Sequence, residues 1–470
     1  MLSKRRFKIA HLLVVAAMLH VALSVTIMLV GKSRLMPSQF SEGGIGAFAY
    51  DSFLYEAEVE RLAKLLKTEG VVAWASSPSE LHVRLYSLPY AVVSSWGGFN
   101  ILIVEPLNLA LYLLIITLIY KIGCYAFDHR AGLLAASIVA FWPSLLFHTT
   151  QLLRDSFTIV ALLALVFGVI KLIQQHSTWQ RSLWLLTFVA LAAVLNWILR
   201  MASWDVGRLI LFLSIVGLLI QQWRDKRPWS NTLVKVAALI AIMLLTPQTK
   251  ALFKNQQSSI RDRDKVAPIA ERVQGRNLWE TISIRRHGFA TTTFGDDRTP
   301  VGSNIDADVE FNNPVHILLY LPRAAAIGFL TPFPSMWVEK GNHVGMAGRA
   351  LSGAEMFLTY VIELLALVGL WSKRKDFIAW LLFLTASAAM VGLALIVTNV
   401  GTLYRERYPF WILLAILGSG GALLVCSLRQ PKAEGQFVRE ETPDFGQDEV
   451  GARVDSHGEP HGSSVVSKKI

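Results

Sequence analysis

The sequence predicts an all-α polytopic membrane protein with about ten transmembrane helices, and three observations support this fold class. The 470 residues are 53% hydrophobic but only 17% charged, whereas soluble chains carry about 25% charge. Long uncharged runs separate the charged residues, and most approach the ~20 residues that a helix needs to cross a bilayer. Helices rather than strands are expected, because backbone groups in lipid must be paired within their own segment.

The first predicted span follows the basic N-terminus and covers residues 9–30. This run is longer than the ~7–15 apolar residues of a signal peptide, and no small-residue cleavage site follows it. We therefore interpret it as a span with its amino end in the cytoplasm. Nine further runs have the composition of spans: 105–127, 131–148, 157–173, 183–199, 204–221, 233–246, 354–371, 377–398 and 408–428.

Basic residues in the short turns predict the orientation of the spans. The turns near 129–130, 180–181, 224–227 and 373–375 carry Lys or Arg, and such short basic turns stay in the cytoplasm. This assignment requires that the apolar stretch 317–330 does not cross. That stretch is short and contains Pro322 and Arg323, so we interpret it as interfacial or re-entrant.

Two large loops, 31–104 and 247–353, then face the outer side of a transmembrane domain that spans residues 1–430. Both loops are expected to contain amphipathic helices. The acidic, Gly-rich tail 431–470 is predicted to be disordered and cytoplasmic. The formal charge of +11 comes from bases that flank spans, which argues against a nucleic-acid partner.

The first outer loop contains a carboxylate at the start of an amphipathic pattern. Apolar residues recur at helical spacing after Asp51, with Tyr55, Val59 and Leu62 on one face. Such a helix lies on a membrane surface. Asp51 has two interpretations: it caps this helix, or it accepts a proton from a substrate hydroxyl at the membrane boundary.

Further charged candidates follow at the outer ends of spans. Asp155 lies in a short outer turn, as a helix cap or as a second functional acid. Positive charge on the outer side opposes the usual bias and predicts a phosphate-bearing ligand. Lipid head-group binding without chemistry, or salt bridges within a folded loop, are the alternatives. The candidate phosphate-binding arginines are Arg154, Arg200, Arg208, Arg285, Arg286, Arg323, Arg405 and Arg407.

The basic character is strongest between Lys250 and Arg286, where nine Lys or Arg face four acids. Downstream, Asp296, Asp297 and Asp306 belong to an acidic patch that could bind a hard cation, although a solvated loop is the favoured interpretation. No His or Cys motif indicates zinc. We therefore assign no metal ligands from the sequence.

Several short motifs follow one another in a set order. They are the first-loop Asp51, the segment 85–90, Glu105-Pro106-Leu107-Asn108, the turn 127–135, Leu153-Arg154-Asp155 and Tyr404-Arg405-Glu406-Arg407-Tyr408-Pro409. In this order and placement the chain resembles the GT-C superfamily of membrane glycosyltransferases. The resemblance is to glycosyltransferase family 39 and its aminoarabinose-transferase-like branch in particular. The usual Tyr-Pro-Pro is here replaced by Tyr86-Ser87-Leu88-Pro89.

The resemblance implies that Asp51 is the catalytic base, that Asp155 supports it, and that Glu80, His82 and Arg84 lie near the site. It also implies transfer of a sugar from a polyprenyl-phosphate donor to a periplasmic-side acceptor, which is a lipid-linked glycan, a lipid or a protein. The location would be the cell inner membrane. No cofactor is required by such a reaction, and a divalent metal is compatible with it. Two other classes stay open: a polymerase or ligase of lipid-linked glycans that relies on arginines, and a non-enzymatic transporter or flippase of lipid-linked sugars.

Overall fold

A computed structural model describes residues 8–49, 51–93, 100–174, 179–200, 203–225, 229–251, 276–294, 297–300, 303–338 and 345–429. Almost all of the regular structure is helical, with one short antiparallel hairpin. The predicted disordered tail and most of the basic stretch after Lys250 lie outside the described residues.

The helices match most of the predicted apolar runs to within four residues at each end, but the helix that contains the run 354–371 begins nine residues before it, at Gly345. They are α1 (Ile9–Lys32), α2 (Asp51–Thr68), α3 (Gly70–Ser76), α4 (Leu81–Val93), α5 (Glu105–Ala126), α6 (His129–Ala140), α7 (Pro143–Thr149), α8 (Asp155–Gln174), α9 (Trp179–Leu199), α10 (Trp204–Asp225), α11 (Trp229–Leu245), α12 (Leu278–Ala290), α13 (Pro314–Leu330), α14 (Gly345–Ser372), α15 (Phe377–Ile396), α16 (Val400–Glu406) and α17 (Tyr408–Arg429). The hairpin pairs β1 (Thr291–Phe294) with β2 (Asp297–Pro300) between α12 and α13.

Ten helices in the described part of the chain are long and apolar enough to cross a membrane. Each has at least 18 residues, the length at which an apolar helix becomes a candidate span. The protein is therefore an α-helical, multi-pass membrane protein. The predicted span 131–148 is different, because it forms α6 and α7, two helices bent by 67° at a short break.

The two halves of this bent pair connect opposite ends of the bundle. Tyr120, near the end of α5, contacts His129 at the start of α6, with Oη 2.6 Å from Nδ1. After α7, Gln151 accepts a hydrogen bond from the backbone N–H of Gly46 in the first loop, over 3.0 Å. The pair is thus one crossing with a break at Pro143, where the proline ring starts a new helix. We name the end that contains Gly46 and the start of α2 the Asp51 end.

The contacts next to three of the four predicted basic turns lie at the opposite end. Gln174 at the end of α8 donates a hydrogen bond to the carbonyl of Tyr125 near the end of α5, over 3.3 Å. The ammonium of Lys373, between α14 and α15, lies 5.9 Å from the centre of the Phe127 ring. Both contacts join turns that the basic residues assign to the same side of the membrane. The structure therefore groups these turns as the charge pattern predicts.

Helix α13 is one of the ten candidate spans by length and composition, yet the chain enters and leaves it at one end. Before α13, Ile305 N–H donates to the Thr398 carbonyl beyond the end of α15, over 3.0 Å. After it, Arg349 in α14 donates to Ser303 Oγ over 2.6 Å. Both flanking segments therefore lie at the Asp51 end. These contacts favour the interpretation of residues 317–330 as a re-entrant segment.

The core is a bundle around α8, the most enclosed of the apolar helices. At the Asp51 end, α2 and α4 form a second apolar cluster with α1, α5 and α8. The predicted amphipathic pattern of α2 is present: Val59 and Leu62 are fully buried, while Glu60 and Lys64 are exposed. The apolar face of α2 thus packs on the bundle and holds the start of this helix beside the ends of the spans.

Candidate active site

Arg405 joins the two acidic residues that the sequence singled out. Its Nη2 donates a hydrogen bond to Asp51 Oδ2 over 2.7 Å, and its Nε lies 3.1 Å from Asp155 Oδ2. The three residues belong to α2, α8 and α16, so the fold brings together groups that are distant in the chain. We name these three residues the acid–arginine centre.

Helix ends position the three side chains. Asp51 and Asp155 are the first residues of α2 and α8, where the positive end of the helix dipole stabilises a carboxylate. Arg405 lies in the last turn of α16, where the dipole favours a cation. Asn399 caps the start of α16 by accepting a hydrogen bond from Thr402 N over 2.9 Å. Local helix electrostatics therefore support every charge of the centre.

The centre is largely but not fully removed from solvent. The side chains of Asp51, Asp155 and Arg405 are 11%, 12% and 16% exposed. Burial alone lowers the pKa of Arg405, but the carboxylates of Asp155 and Asp51 outweigh it and raise this pKa above its ordinary value. Arg405 is thus a permanent cation, and a small part of its side chain stays exposed.

Two further ion pairs flank the centre. Arg154 Nη1 lies 3.8 Å from Glu80 Oε2, and Arg200 pairs with Glu406, the residue after Arg405. Burial lowers the pKa of Arg154, whereas Tyr55 and the carboxylates of Glu80, Asp155 and Glu406 outweigh it and raise this pKa above its ordinary value. With the centre, these pairs form the charged cluster: Asp51, Glu80, Asp155, Glu406, Arg154, Arg200 and Arg405.

His82 borders the charged cluster as a neutral base. Its Nδ1 lies 3.3 Å from Glu80 Oε2, and its ring meets the Tyr55 ring edge to face at 4.6 Å. The side chain is 1% exposed, and Nε2 has no hydrogen-bond partner among the described residues. Burial, aided by the charge of Arg154, holds the pKa of His82 well below its ordinary value.

Buried hydrogen bonds hold the turn that carries Arg154 and Asp155. Tyr86 Oη donates to Asn108 Oδ1 over 2.8 Å and lies 3.1 Å from the Leu153 carbonyl. Both Tyr86 and Asn108 are fully buried. The sequence motifs contained these residues, but residue type and spacing alone did not predict that they support the turn.

Glu355 is a buried carboxylate that the sequence analysis did not single out. Its two oxygens accept hydrogen bonds from Ser144 N, over 2.6 Å, from Ser144 Oγ and from Tyr404 Oη. It therefore ties α14 to the break before α7 and to the residue before Arg405. A carboxylate in a predicted span is the signal that could have identified it.

Two predicted phosphate-binding arginines are used to satisfy backbone carbonyls. Arg286 is 1% exposed and donates to the carbonyls of Val309, Ala394, Leu395 and Asp306 over 2.7–3.3 Å. Arg407 is 2% exposed and donates to the carbonyl of Thr331 over 2.6 Å, and to that of Phe329 over 3.4 Å. Their charged groups are turned towards the protein rather than towards the charged cluster.

The other predicted arginines also lie apart from the cluster. Arg84 donates to the Ser77 carbonyl, Arg208 pairs with Asp205 one turn earlier at 3.2 Å, and Arg285 is exposed. Arg323 binds the Asp306 carboxylate through Nε at 3.0 Å and Nη2 at 3.2 Å. Among the thirteen predicted site residues, the structure thus gathers Asp51, Asp155, Arg154, Glu80, His82, Arg200 and Arg405.

Metal binding finds no support in the arrangement of side chains. Within the described ranges, no group of three or more His, Cys, Asp or Glu could hold a metal ion. Asp296 lies outside those ranges, and Asp306 of the predicted acidic patch is bound to Arg323 and Tyr320. The described site offers carboxylates, guanidinium groups and one neutral imidazole.

Comparison with known proteins assigns no family to the chain, so its function is argued from the geometry of the site. No protein-family model matches the chain, and no curated protein matches it.

Proposed function

We propose that the protein is an inner-membrane glycosyltransferase that moves a sugar from a polyprenyl-phosphate donor to an acceptor on the periplasmic face. The observation that carries this proposal is the contact of Arg405 with both Asp51 and Asp155 at one end of an apolar helix bundle. A carboxylate base beside a phosphate-binding cation is what such a transfer needs. The resemblance to GT-C glycosyltransferases points to the same reaction.

In this reaction the acceptor hydroxyl attacks the anomeric carbon of the donor sugar. Asp51 takes the hydroxyl proton, the new glycosidic bond forms, and the bond from the anomeric carbon to the phosphate oxygen breaks. The phosphate leaves on its lipid, and Arg405 stabilises the charge that develops on it. Asp155 orients Arg405, because the two side chains are in contact.

The membrane setting suits a lipid-linked donor. The apolar helices place the charged cluster at one end of the bundle, where a phosphate at the surface of the bilayer can meet it. Arg154 and Arg200 add positive charge within the same cluster. A donor anchored by its own lipid needs no nucleotide-binding domain.

A second candidate function is the transport of lipid-linked sugars without chemistry. One observation favours it: His20 and Glu105 form a buried pair within the apolar helices α1 and α5, with His20 Nδ1 2.7 Å from Glu105 Oε1. Charged or titratable groups inside a membrane bundle often mark a transport path. Proteoliposomes that translocate a lipid-linked sugar without transferring it would support this candidate.

The decisive experiment is a transfer assay in membranes from cells that express Asp51→Asn at a normal level. Membranes are supplied with a panel of radiolabelled polyprenyl-phosphate hexoses and pentoses, and label in water-soluble and lipid-linked glycan is measured. We expect the variant to lose about 10²–10⁴-fold in rate, the range of a general base. The matched control is Asp205→Asn, an exposed aspartate that pairs with Arg208 outside the cluster. Undiminished transfer by Asp51→Asn would reject the catalytic assignment.

A further inference from the structure

The acid–arginine centre presents a problem of charge. Arg405 directs two of its nitrogens at carboxylates: Nη2 at Asp51 and Nε at Asp155. A carboxylate paired with a guanidinium is stabilised in its ionised form, and it is therefore a weaker base. The contact of Arg405 with Asp51 thus assembles the centre, but it also makes Asp51 a weaker acceptor of the substrate proton.

The charges of the whole cluster sharpen this problem. Four carboxylates (Asp51, Glu80, Asp155 and Glu406) face three guanidinium groups (Arg154, Arg200 and Arg405) among the described residues. A phosphate that entered this arrangement unchanged would add negative charge where carboxylates already exceed cations. Because the side chains are mostly buried, this repulsion is only weakly screened. Binding of a phosphate therefore requires an exchange of partners.

Arg405 is the cation best placed for that exchange. Arg154 and Arg200 hold Glu80 and Glu406, whereas Arg405 holds the two acids at the reacting centre. It is carried by a helix of seven residues, on a long side chain whose planar fork matches a phosphate as well as a carboxylate. A phosphate can thus compete directly for the same nitrogens.

We propose that the phosphate of the donor draws Arg405 away from Asp51 and Asp155, and that this exchange converts Asp51 into an active base. The inference rests on the proposed function and adds how the reaction is regulated: Asp51 can accept a proton only when a donor is bound. A carboxylate that has lost its guanidinium partner and lies beside a phosphate holds a proton more tightly. The proton comes from the acceptor hydroxyl, and the released lipid phosphate remains the partner of Arg405 until it departs.

The exchange of partners at Arg405 fixes the order in which donor and acceptor bind. A hydroxyl compound that arrives before the donor meets a carboxylate paired with Arg405 and gives up no proton. The donor must therefore bind first. Transfer to water or to a wrong acceptor is limited to the interval in which a phosphate is in place.

The test measures the reactivity of the Asp51 carboxyl, independently of any sugar transfer. The purified full-length protein in detergent is treated with a water-soluble carbodiimide and an amine, and the modification of Asp51 is followed by mass spectrometry. This reagent couples protonated carboxyl groups. Farnesyl phosphate is the probe, and farnesol and inorganic phosphate are parallel arms that separate the lipid chain from the phosphate group.

We expect farnesyl phosphate to increase the rate of Asp51 modification about tenfold, the factor that follows from removing one neighbouring positive charge. Farnesol should have no effect, and inorganic phosphate should act in the same direction at higher concentration. An unchanged or reduced rate at a saturating concentration of farnesyl phosphate would mean that Arg405 keeps its carboxylates, and the proposal would be wrong.

Two variants complete the test. Arg405→Gln should raise the rate without a probe and abolish the response to farnesyl phosphate. The matched control is Arg34→Gln, which breaks an exposed ion pair with Glu42 in the same outer loop and should respond like the wild type. If Arg405→Gln does not fold, the comparison of wild type with and without the probe still decides. Normal sugar transfer with an unresponsive Asp51 rejects this inference alone, whereas absent transfer with a responsive Asp51 rejects only the proposed function.

Discussion

Two kinds of arginine with mostly covered side chains lie near the Asp51 end of the bundle, and they differ in what they bind. Arg405 and Arg200 contact carboxylates, whereas Arg286 and Arg407 saturate backbone carbonyls. Arg405 and Arg407 are separated by one residue in the chain, yet they belong to different kinds.

The difference decides which arginine can act on a ligand. A carboxylate that loses its guanidinium keeps other ways to be stabilised, since it can take up a proton or a new cation. A buried carbonyl that loses its donor has no such choice, and the cost is about 1–3 kcal/mol for each orphaned group. Arginines of the first kind can exchange partners, while those of the second kind hold the fold.

The largest effect is expected at Arg405. Arg405→Lys keeps the positive charge but loses the planar fork that reaches Asp51 and Asp155 together. We expect sugar transfer to fall about 10²–10³-fold, as when one donor of an oxyanion site is removed, with little change in the thermal unfolding midpoint. Transfer is measured in membranes and unfolding in detergent. If the thermal unfolding midpoint also falls far enough to explain the loss of transfer, Arg405 belongs with the structural arginines instead.

At Arg286 we expect a loss of stability and not of a catalytic contact. Arg286→Leu removes a donor from four carbonyls, including that of Leu395, whereas the Asp306 carbonyl keeps its hydrogen bond from Val309 N–H. The free energy of unfolding should fall by about 3 kcal/mol after local relaxation, measured by denaturant titration in mixed micelles. Arg285→Leu, the exposed neighbour, is the control and should change stability little. A stable Arg286→Leu protein with impaired phosphate-lipid binding would contradict the division into two kinds.

The sequence could predict much of this fold but only part of the site. Apolar runs located the spans, because length and hydropathy decide membrane insertion. They did not show the break between α6 and α7 at Pro143, nor that Glu355 from a distant helix binds Ser144 beside this break. The two catalytic candidates were found because carboxylates at span ends are rare. The partners of the arginines could not be read from residue type: Arg405 and Arg407 flank one glutamate, and only the packed helices decide which of them meets a carboxylate.

Glu355 supports the helix that carries Arg405, and its replacement should lower the stability of the fold by less than the loss of Arg286. It binds Ser144 and Tyr404, and Tyr404 precedes Arg405 in α16. Glu355→Gln supplies one acceptor oxygen instead of two, so we expect a loss of about 2 kcal/mol in the free energy of unfolding. The double variant with Tyr404→Phe should lose less than the sum of the two single changes, because the residues share one interaction. Additive losses would mean that the contact contributes nothing.

The smallest effect is expected where an arginine meets a carboxylate in a more exposed position. The hydrogen bond from Arg323 lowers the pKa of Asp306 below its ordinary value of 3.8, and Tyr320 contributes in the same direction. A depressed pKa stabilises the fold above the ordinary value, and this contribution disappears as the pH falls through the folded-state pKa. Asp306 has a positive φ of 50°, which asparagine also tolerates.

Asp306→Asn should therefore cost no more than about 1 kcal/mol at pH 7, since half-exposed pairs are weak. The difference from wild type should begin to shrink below pH 3.8 and vanish once the pH has fallen through the lower folded-state pKa. Thermal unfolding midpoints of the two proteins in detergent, at neutral pH and at the lowest pH that the fold withstands, measure this. A difference that persists in acid would assign the effect to the hydrogen bonds of the side chain rather than to its charge. Arg323 would then resemble Arg286 in holding the loop in place, although its partner is a carboxylate.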